Sequence, residues 1–166
     1  MALFEPLFLA LNGAGVRYVV VGGLAVVLHG YARLTVDVDL VIDLDEGPAA
    51  RAMETLVAMG LRPRLPVDPR EFAVASVRET WIRDRGMQVF SMFDPSNPMR
   101  VVDLFASHPL PFPELWSRSQ EVVLPTTTVR IASIPDLIRL KRMAGRPQDD
   151  ADIEQLEAIL REKGTT

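Results

Sequence analysis

Asp37-Val38-Asp39 lies in a run, Val36 to Leu44, that alternates aliphatic residues with aspartate at a period of two. On a strand that period sends both carboxylates to one face and Val36, Val38 and Leu40 to the other. Carboxylates side by side repel unless a cation or a proton lies between them. Mg²⁺ suits them, as a hard ion held by one or two carboxylates together with substrate phosphates. On its own the pattern describes an acidic edge strand facing water equally well. Gly22-Gly23 follows the apolar run Val16–Val21 and precedes a helix-like segment. A glycine pair there lets backbone approach a ligand, and its free N–H groups can receive phosphate. Alone, it reads as a tight turn. The third acid is Asp103 in Arg100-Val-Val-Asp-Leu-Phe105, where an aspartate among apolar neighbours costs free energy unless it is paired or ligates a metal. Together Asp37, Asp39 and Asp103 would hold two metal ions, with Asp103 also placed to take a proton from an incoming hydroxyl.

Basic side chains form a second tier. Arg33 precedes Asp37 by four residues, and Lys141 and Arg146 end a helix-like segment. Lysine offers phosphate a mobile point charge and arginine a bidentate fork, so all three are candidates for the triphosphate. Lys141 and Arg146 equally suit a helix C-terminus. Arg62, Arg64, Arg70, Arg78, Arg83 and Arg85 outline either an acceptor-binding face or a solvated surface.

The elements that must position these groups follow from periodicity and punctuation. Residues 2–13 read as an amphipathic helix, 16–21 as a strand, 24–31 as a short helix, 36–44 as a strand and 48–59 as a helix closed by Gly60. Three prolines within 62–69 make that stretch loop or edge. Residues 72–77, 87–93 and 100–105 read as strands, with a turn over 94–98. Ser133 and Asp136 form a capping box for a helix to Ala144. Asp149 or Asp150 caps a second helix reaching about Leu160. The expectation is an α/β (α+β) chain, a mixed sheet flanked by helices with a C-terminal helix pair. Residues 1–166 would form one domain, with the catalytic sheet in 1–130 and the helices in 131–166.

Composition removes several alternatives. The 166 residues contain no cysteine, which excludes disulfides, thiolate metal sites and cysteine nucleophiles. A net charge of -4 argues against binding nucleic acid or membrane through bulk charge. No apolar run approaches the roughly 20 residues of a membrane span. The N-terminus lacks a basic region, and Glu5 and Pro6 break its apolar stretch, so no leader is expected and the location is expected to be cytoplasmic. Two histidines are too few for a histidine-based metal site, and His29 is expected to pack or hydrogen-bond rather than catalyse. A calcium loop fails because Val41 stands at a ligand position, and Walker, dinucleotide-binding and serine-hydrolase signatures are missing.

Val21-Gly-Gly-Leu-Ala-Val-Val-Leu-His-Gly30 followed by Arg33-Leu-Thr-Val-Asp-Val-Asp39 resembles the DNA-polymerase-β-like nucleotidyltransferase superfamily, nearest its minimal, abortive-infection and toxin–antitoxin-type enzymes. The tail Leu140-Lys-Arg-Met-Ala-Gly-Arg-Pro-Gln-Asp-Asp-Ala-Asp152 resembles the same group. The resemblance implies Gly22 and Gly23 at the phosphates of a nucleoside triphosphate such as ATP, and Asp37, Asp39 and Asp103 as ligands of Mg²⁺ or Mn²⁺. It implies transfer of a nucleoside monophosphate to a hydroxyl of RNA, protein or a small molecule, with a toxin or antitoxin protein as a further partner. The rival is an inactive, antitoxin-like binding subunit. One departure is Gly23, where many members carry serine.

Overall fold

The computed structural model describes residues 4–164. Its centre is a seven-stranded mixed sheet in the order β3-β4-β5-β2-β1-β7-β6. The interior strand β1 (Tyr18–Val21), beside the central strand, is buried along its whole length, as its unbroken apolar sequence requires. It runs antiparallel to β2 (Asp37–Ile42) and parallel to β7 (Thr128–Ile131). Between β1 and β2 lies the short helix α2 (Gly22–Leu28), which begins at the glycine pair itself rather than after it. On the far side of β2, strand β5 (Asn97–Phe105) pairs in parallel and places Asp103 directly opposite Asp39.

β5 forms a hairpin with β4 (Val89–Asp94), whose turn is pinned by Asp94 accepting from the Ser96 amide at 2.8 Å and its hydroxyl at 2.6 Å. The edge strand β3 is only Arg62–Pro63, in keeping with a proline-rich segment that cannot sustain a ladder. β6 (Gln120–Val123) closes the other edge against β7.

One face of the sheet is covered by α1 (Glu5–Gly13) and α3 (Glu46–Ala58). Leu7, Phe8 and Leu11 of α1 are buried, and Phe8 stacks on Tyr18 with ring centroids 5.7 Å apart. Small residues Ala49 and Ala52 of α3 allow close approach, while Met53 and Leu56 fill the gaps. The C-terminal pair is α6 (Ile134–Ala144) and α7 (Pro147–Gly164). Ser133 caps α6 by accepting from the Asp136 amide at 3.3 Å, but the Asp136 carboxylate turns instead to Arg118 on α5 (Phe112–Arg118), at 2.9 and 3.0 Å. Among the described residues no helix is long and apolar enough to cross a membrane.

Three expectations are corrected. Residues 72–77 are no strand: Asp68 caps a 3₁₀ turn over Pro69–Ala73, and α4 (Ala75–Arg85) follows. Phe72 and Ala73 are buried from the 3₁₀ turn, and the buried residues of α4 are Arg78 and Trp81. The Arg78 guanidinium donates to the carbonyls of Phe72 at 2.6 Å and Leu44 at 3.2 Å and lies over the Phe72 ring. The helix α7 starts two residues before Asp149, so Asp149 and Asp150 sit in its first turn instead of capping it, and it runs on to Gly164. The start of the N-terminal helix differs too: α1 begins at Glu5, and residues 2 and 3 lie outside those described.

Candidate active site

The carboxylates sit where β1 ends and β2 begins. The pleat sends Asp37 and Asp39 to one face while Val38 and Leu40 are buried on the other. Because β5 runs parallel to β2 in this register, Asp103 emerges on the same face beside Asp39. Ser91, opposite Asp103 on β4, donates its hydroxyl to Asp103 Oδ1 at 2.5 Å.

Gly22 is needed here for two reasons. Its φ of +69° is one that L side chains rarely adopt, and a Cβ there would lie 2.1 Å from Asp39 Oδ2. The carboxylate of Asp39 thus lies against bare backbone. A Cβ at Gly23 would lie 2.8 Å from a guanidinium nitrogen of Arg33 and 2.9 Å from the Thr35 hydroxyl. The space of a serine side chain is therefore occupied by two side chains from the segment leading into β2. Thr35 brings back the hydroxyl that Gly23 lacks. Neither Thr35 nor Ser91 announces itself in sequence, because each depends on a neighbouring strand.

The chain offsets the charge of these acids only in part, and among the described residues none of its cations pairs directly with Asp39 or Asp103. Burial first, then the charges of Asp103 and Asp37, push the Asp39 carboxyl up from an ordinary 3.8 to about 7. Asp103 is also raised, chiefly by burial, against the opposing hydrogen bond from Ser91. The carboxylates splay, Asp39 towards Gly22 and Asp103 towards Ser91. Among the described residues no three acid or histidine side chains converge on one point as a ready metal cluster.

The basic residues behave differently from a free cationic patch. Arg33 reaches α7 and pairs with Asp152 at 3.0 Å. Lys141 on α6 is buried between Asp152 at 2.8 Å and Asp149 at 3.4 Å. Arg146, in the turn between α6 and α7, grips Asp149 through Nε at 2.9 Å and a terminal nitrogen at 3.1 Å. Burial works against ionising Asp149, yet the Arg146 hydrogen bonds and the charge of Lys141 outweigh it and hold its pKa below the usual range. Arg33, Lys141 and Arg146 are thus brought together, and the charges of the last two are felt at Asp39. Asp149 was read only as a helix cap and Asp152 only as part of the tail, so their role in tying this network was missed. Their spacing of three along one helix is the signal that could have found them.

His29 is buried, with Nε2 2.8 Å from the Ala132 carbonyl oxygen, and burial lowers its pKa. It lies behind the glycines as a packing group. A cavity of about 360 Å³ lies on the opposite face of β2, lined by Leu7, Val38, Met59 and Val102, away from the carboxylates.

A strand ending in glycine, two acids beginning the next strand and a third on a parallel neighbour is an arrangement that matches a family. Residues 3–162 fit the model of a family described as nucleotidyltransferase of unknown function, DUF6036. The chain belongs to that family. Solved structures agree in fold. The lincosamide antibiotic adenylyltransferase LnuA, bound to lincomycin, is 17% identical, with a TM-score of 0.60 over 95% of each chain. The antibiotic-resistance factor ANT(2'')-Ia is 13% identical, with a TM-score of 0.58 over 99% of this chain and 92% of that one. An antigenic nucleotidyltransferase-like protein from Paracoccidioides brasiliensis is 17% identical, with a TM-score of 0.56 over 96% and 74%. No curated protein matches in sequence.

Proposed function

We propose that this nucleotidyltransferase moves a nucleoside monophosphate from a nucleoside triphosphate to an acceptor hydroxyl, with Asp37, Asp39 and Asp103 holding Mg²⁺ or Mn²⁺. The observation that carries the reading is the in-register pairing of Asp39 with Asp103, beside a glycine where no side chain fits. The residues suit a divalent cation: all donors are oxygens, all share a face, and burial together with the charges of Asp103 and Asp37 pushes the Asp39 carboxyl up to about 7, a cost a cation would relieve. Such an ion would supply charge neutralisation at the phosphates.

The chain's own groups account for the rest. The backbone at Gly22 and Gly23 admits the triphosphate closely, and Thr35 offers it a hydroxyl. Arg33 and Arg146, at the two ends of the ion-pair network, contribute positive charge. Lys141 at its centre contributes through the carboxylates it anchors. The acceptor oxygen attacks the α-phosphorus, the bond to the β-phosphate oxygen breaks and pyrophosphate leaves. The acceptor proton passes to Asp103 at the oxygen that Ser91 does not hold.

The rival, an inactive antitoxin-like subunit, leaves the two raised carboxyls of Asp39 and Asp103, set side by side on one face, without a purpose. A thermal-shift titration with Mg²⁺ and each nucleoside triphosphate tests the reading. A matching pair at a hundredfold excess over its dissociation constant should stabilise the protein by roughly 2.7 kcal/mol. If no metal–nucleotide pair raises the melting temperature, the reading is wrong.

A further inference from the structure

Six arginines fall between residues 61 and 90, and the structure separates them. Arg78 is buried and holds backbone carbonyls. Arg70 pairs with Asp68 and Arg83 with Asp84. Arg62 donates to the Leu61 carbonyl at 3.0 Å. Arg64 and Arg85 remain, both exposed, and neither guanidinium forms an ion pair or a side-chain hydrogen bond among the described residues. These two line one cleft of about 270 Å³, together with Leu65, Met87, Val89 and Ser91.

The cleft opens onto the reacting groups. Ser91, part of its wall, is the residue that hydrogen-bonds Asp103. The charge of Arg64 is felt at Asp103. Building on the nucleotidyltransferase reading, we infer that this cleft is the acceptor subsite and that the acceptor carries a phosphate close to its reacting hydroxyl, as the 3′ end of a nucleotide does. Three features support that chemistry. Arginine offers phosphate a planar, two-pronged donor, and two of them without carboxylate partners face one small space. The apolar lining of Leu65, Met87 and Val89 accommodates the flat face of a base. A polycationic acceptor would meet two like charges there and be repelled. With an overall charge of -4, an anion is drawn to this cleft by the local arginine pair and not by the bulk charge of the chain.

The test uses the full chain with Mg²⁺ and the triphosphate found to stabilise it. Binding of a fluorescently labelled oligoribonucleotide with a free 3′ hydroxyl is followed by anisotropy, with a nucleoside 5′-monophosphate, an unphosphorylated nucleoside, lincomycin and a polycationic aminosugar as competitors. The oligonucleotide should bind, and the monophosphate should compete while the other three do not. Displacement by the monophosphate at concentrations similar to the strand's marks a free nucleotide as sufficient, whereas much weaker displacement marks a strand. Arg64→Ala and Arg85→Ala should each weaken binding about tenfold and lower the salt dependence by about one released ion. Arg85→Ala should leave the thermal shift produced by Mg²⁺ and triphosphate unchanged. Binding that is unchanged in the double variant, or tighter competition by the aminosugar or lincomycin than by the monophosphate, overturns the inference and leaves the nucleotidyltransferase reading standing. A chain that no metal–triphosphate pair stabilises overturns both.

Discussion

Two groups of aspartates, one on the strands and one on α7, sit near the same glycine turn in opposite electrostatic circumstances. Asp149 and Asp152 are almost wholly enclosed, yet each meets a lysine or an arginine, and Asp149 is held ionised by them. Asp39 and Asp103 stand side by side on neighbouring strands of one face as like charges, and both are raised. Buried acids that carry their own counter-charges serve as architecture. Acids that meet no cation directly stay raised, and on the proposed reading a bound cation would relieve them. A count of aspartates cannot tell the two groups apart; only their partners can.

That contrast can be broken most sharply at Asp39. Asp39→Asn removes a charge without changing shape, and nucleotide transfer should fall by roughly 10³-fold or more while the circular dichroism spectrum is kept. Activity within tenfold of the parent would mean that the strand acids are not the reacting centre.

The paired group should answer in stability instead. Asp152→Ala leaves the buried Lys141 and the half-buried Arg33 short of a partner, and unfolding in urea should show a loss of about 3 kcal/mol. A loss below about 1 kcal/mol would place the network among ordinary surface pairs.

The smallest effect separates the groups by pH. Asp39 has a raised pKa when folded, so the folded chain binds more protons than the unfolded one between about 4 and 7. Stability of the metal-free protein should therefore fall as pH rises through that window, with the penalty complete above it. Asp39→Asn should then be more stable than the parent at pH 8 in chelator, by roughly 1–3 kcal/mol, and equal to it near pH 4. Added Mg²⁺ should narrow the difference at pH 8. A difference independent of pH would remove the charge argument.

Much of this was legible before the structure. The period of two through Asp37 and Asp39, the glycine pair after an aliphatic run and the capping serine at 133 are local signals, and the structure places each as read. The strand expected over 72–77 failed because a 3₁₀ turn capped by Asp68 takes its first two residues and α4 begins at Ala75, a break that its apolar composition does not register. α5, β6 and β7 went unread: α5 has few residues and prolines at its start, and β6 is a largely exposed edge whose sequence lacks alternation. Thr35 and Ser91 were missed because their meaning depends on which strand lies alongside.

The parallel pairing of β2 with β5 has a consequence for the life of the chain. The third acid reaches its place only after α3, β3, α4 and β4 have been threaded between, so the loop that must close is long. Contacts of such separation form late and slowly. A nascent or partly folded copy would therefore possess the glycine turn and two acids but lack the third. If the three acids act together as proposed, competence would appear only when the centre of the sheet has closed, and activity would report on complete folding.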